Sequence, residues 1–201
     1  MSFTIEDVKT LRERTGAGMM DAKKALVETD GNMEQAMEVL RKKGAAQAAK
    51  RADREARNGV VASYVHGEKI GVLVEVNCET DFVARTEDFK NFAKDIAMHI
   101  AATDPEYLNP ESVPEDVVSK EKEMFYGELV NSPAGEKPDD IKLKIVNGKI
   151  DKYYETVCLS RQPFVKDPDK TIEALTTEVS AKVGENVVIR QFSRLELGAS
   201  S

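Results

Sequence analysis

The 201-residue sequence predicts an α+β protein: a three-helix N-terminal domain, then a three-stranded antiparallel sheet covered by helices. Three observations carry this. Residues 1–44 hold three short apolar stripes at helical spacing, separated by glycine-containing turns. Residues 60–65 and 70–77 hold two strand-like runs joined by His66-Gly67-Glu68-Lys69, which reads as a hairpin. The chain closes on a helix carrying Ile172, Leu175, Val179 and Val183, followed by a third strand-like run at 187–192. An isolated hairpin is barely stable, so the last run is expected to join it, with helices over one face.

In the first helix Thr4 is placed as N-cap, Asp7 at the third helical position, and Phe3 against Val8 as a hydrophobic staple. Ile5, Val8 and Leu11 form its apolar stripe, and Gly16 and Gly18 stop it. Met19, Ala22 and Leu26 open a second helix that ends at Asp30-Gly31. Asn32 caps a third, with Met33, Ala36, Val39 and Leu40 inward and Gly44 as its stop. Residues 45–57, AAQAAKRADREAR, have alanine and charge but no sizeable apolar residue, so they suit a basic helical linker between the 1–44 domain and a 58–201 core. That run is either solvated or a contact for RNA or an acidic partner surface.

Beyond the hairpin, Thr86 is placed as N-cap of a helix whose Phe89, Phe92, Ala93, Ile96 and Ile100 face inward, ended by Thr103-Asp104-Pro105. Pro105, Pro110 and Pro114 segment a loop before a helix carrying Val118, Phe125 and Leu129. Pro138 suits the first position of another, with Ile141 and Ile145 inward and a stop at Asn147-Gly148. Ile150, Tyr153, Tyr154 and Val157 indicate one more short helix, interrupted by Gln162-Pro163-Phe164-Val165.

Composition excludes several classes of function. No apolar run approaches the roughly 18–20 residues that cross a bilayer, and MSFTIEDVKT lacks a charged head followed by an apolar segment, so a cytoplasmic location is the default expectation. Cys78 and Cys158 are too few for a disulfide scaffold, and the two histidines lie far apart, so free thiols and no metal site are expected. The formal charge of −7 opposes general nucleic-acid binding, although residues 1–57 carry 12 Lys/Arg against 10 Asp/Glu. Gly16-Ala17-Gly18 follows a helix and lacks a Gly-Lys-Ser/Thr end, so no phosphate loop is encoded and no cofactor or direct nucleotide binding is expected. Cys78 follows a buried strand with no His or Lys placed to activate it, and the acids near it lack a calcium-loop pattern, so the chain is not expected to be an enzyme.

The most informative stretch is 70–92, IGVLVEVNCETDFVARTEDFKNF. Ile70, Val72, Val74 and Val76 alternate with their neighbours as a buried strand does. Between that strand and the helix at Thr86 lies a connection with no Gly or Pro and a Phe82-Val83 pair at its middle, so Phe82 either tucks into the core or stands out towards something else. Near the N-terminus, Met19 and Met20 adjoin the Gly-Ala-Gly turn and cannot both face one core. Both pack locally, or one is an adaptable contact for a partner.

Asn77-Cys78-Glu79-Thr80-Asp81-Phe82-Val83-Ala84-Arg85 resembles the signature of the elongation factor Ts family, whose members release GDP from elongation factor Tu. A second match, Leu11 to Leu26 (LRERTGAGMMDAKKAL), stands in the family's order and position. The resemblance implies a guanine nucleotide exchange factor for elongation factor Tu in translation elongation, binding it both with GDP and empty of nucleotide. Thr80, Asp81, Phe82 and Val83 match the intruding segment, in which the Phe enters an apolar pocket beside the GTPase's magnesium site and the Asp makes polar contacts. Leu11, Arg12, Met19, Met20 and Lys23 match the region that docks on the GTPase domain, and His99 matches a segment near a weaker contact. Longer members duplicate the core subdomain; this chain has one copy, which resembles the short members and implies a homodimer formed through the core. A different class of function is a ubiquitin-associated-like adaptor, which the three-helix domain with its Met and Gly loop also resembles, although that leaves the TDFV stretch and the larger domain unexplained.

Overall fold

The computed structural model describes residues 3–199. The order is α1 (Ile5–Thr15), α2 (Met19–Glu28), α3 (Met33–Ala49), β1 (Asn58–His66), β2 (Ile70–Cys78), α4 (Asp81–Ala84) and α5 (Glu87–Thr103), then α6 (Glu115–Val130), α7 (Asp139–Val157), β3 (Pro163–Phe164), β4 (Asp167–Thr171), α8 (Ile172–Val183) and β5 (Val188–Glu196). The fold is α+β, with a three-stranded antiparallel sheet in the order β1-β2-β5 and helices packed around it. The chain divides into two compact units. One holds the chain up to Val61 with Glu75–Ala93 and Ala174–Ile189; the other holds Ala62–Val74, Lys94–Glu173 and the chain from Arg190.

In the first unit, α1, α2 and α3 pack on a core of Val8, Leu11, Ala22, Ala25, Leu26, Ala36 and Leu40. The expected capping box closes α1: the Asp7 N–H donates to Thr4 Oγ1 at 3.2 Å and the Thr4 N–H donates to Asp7 Oδ2 at 2.7 Å. Those bonds hold the Asp7 carboxyl below its ordinary pKa, the Thr4 backbone bond most of all. Ile5 does not join the apolar stripe; it is exposed, and Phe3 packs on the cluster from outside the helix. Gly16 ends α1 in the left-handed region at φ 68°, and Asn32 caps α3 by accepting from the Gln35 N–H at 3.0 Å.

Gly44, expected as a stop, lies inside α3. A Cβ there would sit 3.0 Å from the Cβ of Ala181 in α8, so its missing side chain allows a close helix approach. An interior glycine costs a helix about 1 kcal/mol, less than the alanine-rich turn beyond it and that packing supply together. The helix therefore extends into the stretch expected as linker, and residues 50–54 form turns.

The hairpin turn has Gly67 at φ 54° and Glu68 at φ 60°, with the Lys69 N–H donating to the His66 carbonyl at 3.0 Å. Two left-handed central residues make the tight turn whose twist matches the strands. On β2 the alternation expected from sequence buries Val72, Val74 and Val76, while Leu73 faces solvent, as does Val65 on β1.

In the second unit α6 packs along α7. Asn147-Gly148 does not end a helix: α7 runs unbroken from Asp139, with Pro138 as its N-cap. Val146, Ile150 and Val157 form a continuous buried stripe, and packing that stripe outweighs the cost of an exposed glycine. The strand pair β3–β4 had no expectation from sequence, since Asp167-Pro-Asp-Lys-Thr171 has almost no β-forming residue.

Candidate partner-binding site

The connection after β2 holds one turn of helix where only a loop was expected. Thr80 is its N-cap, in extended backbone, with its Oγ1 accepting from the Val83 N–H at 3.4 Å. Asp81 opens the turn and pairs with Arg85 at 2.8 Å; Ala84 is buried. Phe82 points away from all of this and is 79% exposed. Val83 is half-buried. Of the two alternatives for Phe82, the ring stands out.

Four residues cannot hold a helix by propensity, because nucleation costs more than one turn returns. This turn is held instead from the α8–β5 connection. The Glu185 carboxylate accepts from the Glu79 N–H at 3.1 Å, the Thr80 N–H at 3.0 Å and the Thr80 hydroxyl at 2.6 Å. In return Glu79 Oε1 accepts from the Asn186 N–H at 2.7 Å. The Asn58 side chain donates to the Glu79 carbonyl at 2.7 Å, and the Cys78 thiol donates to the Thr80 carbonyl at 3.1 Å. Burial, with the Glu185 charge second, pushes the Cys78 thiol up to about 11, so it stays protonated near neutrality and is a poor nucleophile.

The second group of sequence-predicted residues lies on α1 and α2. Met20 is 64% and Met19 42% exposed, so both leave the local core, and Arg12 and Lys23 are exposed as well. Leu11 is enclosed among the three helices and supports this surface from beneath. A cleft of about 430 Å³ is lined by Arg12 of α1 and Gly16 just past its end, by Val83 and Thr86 around α4, and by Lys182 and Val183 at the end of α8, so one residue of each group, Arg12 and Val83, borders it. Lys182 also pairs with Asp88 at 2.7 Å, and a Cβ on Gly16 would meet its side chain at 2.9 Å.

His99 belongs to the other unit and is fully enclosed. Its Nδ1 accepts from the Val165 N–H at 3.3 Å, which leaves Nε2–H to donate to Gln162 Oε1 at 3.0 Å. Gln162 in turn accepts from the Thr103 hydroxyl and donates to the Thr156 carbonyl. Burial lowers the His99 pKa, with the Gln162 bond opposing it, so the ring is a neutral crosslink between α5 and the β3–β4 pair. Any influence on a partner passes through those neighbours.

Sequence reasoning passed over Glu185 and Asn186, which read as a plain connector. Their partners at Glu79 and Thr80 lie 105 to 107 residues away, and no local pattern points to them. Among the described residues no group of three or more His, Cys, Asp or Glu is placed to hold a metal ion, and no helix is long and apolar enough to cross a membrane.

Comparison with known proteins accounts for nearly all of the chain. The family model for elongation factor TS matches residues 4–199. A protein named elongation factor Ts from Syntrophus aciditrophicus is 53% identical over 98% of both chains. Its namesake from Carboxydothermus hydrogenoformans is 55% identical over 98% of this chain and 89% of its own, and that from Thermodesulfovibrio yellowstonii is 50% identical over 98% of both. With the family model and full-length relatives in agreement, the chain belongs to the elongation factor Ts family.

Proposed function

We propose that this protein is a guanine nucleotide exchange factor for elongation factor Tu, and that Thr80–Val83 is the segment that opens the nucleotide site. The observation that carries the reading is an apolar ring held out into solvent on a backbone that is itself firmly bonded. A large exposed Phe in a monomer is costly in solubility and contributes nothing to folding, so its use lies in contact with another surface. Phe82 acts as a wedge for an apolar pocket of the GTPase. Asp81 and the capped Thr80 orient it, and Val83 backs it.

Exchange needs no bond-making residue on this chain. A factor that binds the GTPase more tightly when its nucleotide site is distorted shifts that GTPase towards the empty state. Reciprocity follows: bound nucleotide weakens the factor as much as the factor weakens nucleotide. Displacing the magnesium ion of the GTPase removes the largest charge that holds the diphosphate. Arg12, Lys23, Met19 and Met20 dock on the GTPase domain, with Leu11 packing α1 beneath them, and His99 contributes through the β3–β4 pair that it fixes.

The chain acts in the cytoplasm as a homodimer formed through the core domain. Val65, Leu73 and Leu195 are large apolar residues exposed on strands of the sheet, and pairing with a second copy would cover them. Elongation factor Tu loaded with a fluorescent GDP and chased with excess unlabelled GDP tests the main claim. Substoichiometric protein is expected to accelerate release, and Phe82→Ala to remove most of the acceleration. Folded protein without any acceleration would leave a binding module of the ubiquitin-associated type instead.

A further inference from the structure

We infer that Glu185 and Asn186 form a positioning device for the wedge, with Glu185 acting on the partner through Thr80 and never touching it. This deepens the exchange reading and rests on it. A wedge transmits force only as far as its own backbone resists displacement, and α4 has no means of resisting alone. Two reciprocal attachments supply that resistance. Glu185 gathers the N–H groups of Glu79 and Thr80 and the Thr80 hydroxyl, while Glu79 takes the Asn186 N–H. At 2.6 Å the bond from the Thr80 hydroxyl is the shortest of the three that the Glu185 side chain accepts.

The turn is itself fixed from behind. Ser180 Oγ donates to the Glu185 carbonyl at 2.6 Å, and Gly184 takes the left-handed φ of 75° that sends the chain out of α8. Asn186 Nδ2 then donates to the Ala52 and Arg54 carbonyls at 3.1 and 2.8 Å, in the segment that leaves α3. One turn therefore fixes both the wedge and the exit of the three N-terminal helices. The two contact surfaces of the first unit share a single anchor.

The test is the maximal rate and the half-saturating concentration of exchange, measured by fluorescent GDP release over a range of concentrations of elongation factor Tu. Glu185→Ala is expected to lower the maximal rate about tenfold, as a small misplacement of a positioned group does, with half-saturation changed by less than about twofold. Glu185→Gln keeps an oxygen for the two backbone donors and is expected to recover most of the rate. Because Glu185 works through the wedge, Phe82→Ala with Glu185→Ala is expected to be no slower than Phe82→Ala alone.

A folded Glu185→Ala protein at the wild-type rate would overturn the inference, as would effects that multiply in the double variant. If circular dichroism shows that Glu185→Ala does not fold, Thr80→Val, which removes only the hydroxyl, takes its place under the same two criteria. A wild-type chain that fails to accelerate release sinks the exchange reading and this inference with it. A wild-type chain that works, loses its rate in Phe82→Ala and is indifferent to Glu185 sinks this inference alone.

Discussion

Phe82 and Phe89 stand close in sequence, each near the start of a helix with a threonine cap, yet one ring is 79% exposed and the other is fully enclosed. Phe89 is where it is because α5 turns that face to the core, with Phe92, Ala93, Ile96 and Ile100 on the same stripe. Phe82 is where it is because polar bonds to the backbone around it, from Glu185 and within the Thr80 cap, fix the turn that carries it. A region held by burial places its side chains inward; one held through its backbone leaves a side chain free to face a partner.

The strongest way to sharpen that contrast is to truncate both rings. Phe89→Ala is expected to cost about 3–5 kcal/mol of folding stability in urea unfolding, and Phe82→Ala less than about 0.5 kcal/mol. A loss of 2 kcal/mol or so at Phe82 would place its ring in the core in solution and break the comparison. The same pairing on the N-terminal helices is smaller. Leu11→Ala, which empties the centre of the three-helix core, is expected to cost about 3 kcal/mol, while Met20→Ala leaves stability within about 0.5 kcal/mol and weakens binding to the GTPase. Equal losses in the two variants would mean that Met20 packs locally.

The smallest expected effect belongs to His99. Burial lowers its pKa below the ordinary 6.5, so as pH falls the unfolded chain takes up the proton first. The stability this neutral ring contributes is fully present above about 6.5 and is lost as pH falls from there towards the folded-state pKa. Urea midpoints at pH values on either side of that window should drop more on acidification for wild type than for His99→Gln. Parallel pH profiles would show that the ring is not held neutral.

Much of the local structure was legible from sequence because its signals are local. Thr4 with Asp7, Asn32, Thr86, Gly16 and the Gly67 turn each announce an element within a few residues, and each takes its expected place. Gly44 and Gly148 misled for the complementary reason. A glycine is a stop only when nothing favours continuing, and Ala181 beside Gly44 and the buried stripe around Gly148 are facts of packing. The pair β3–β4 carries hardly any β-forming residue on the β4 side, and α4 is too short to leave a period.

The sequence by itself determined the α+β class, the caps and turns, and the signature that ties the chain to its family, since all of these depend on residue order over short spans. Tertiary structure decided what faces outward: that Phe82 is exposed, that Leu11 and His99 are enclosed, and that the distant Glu185 binds the turn that carries Phe82. Burial and bonds between residues more than a hundred positions apart depend on how the chain returns to itself, and no window along the sequence contains both partners.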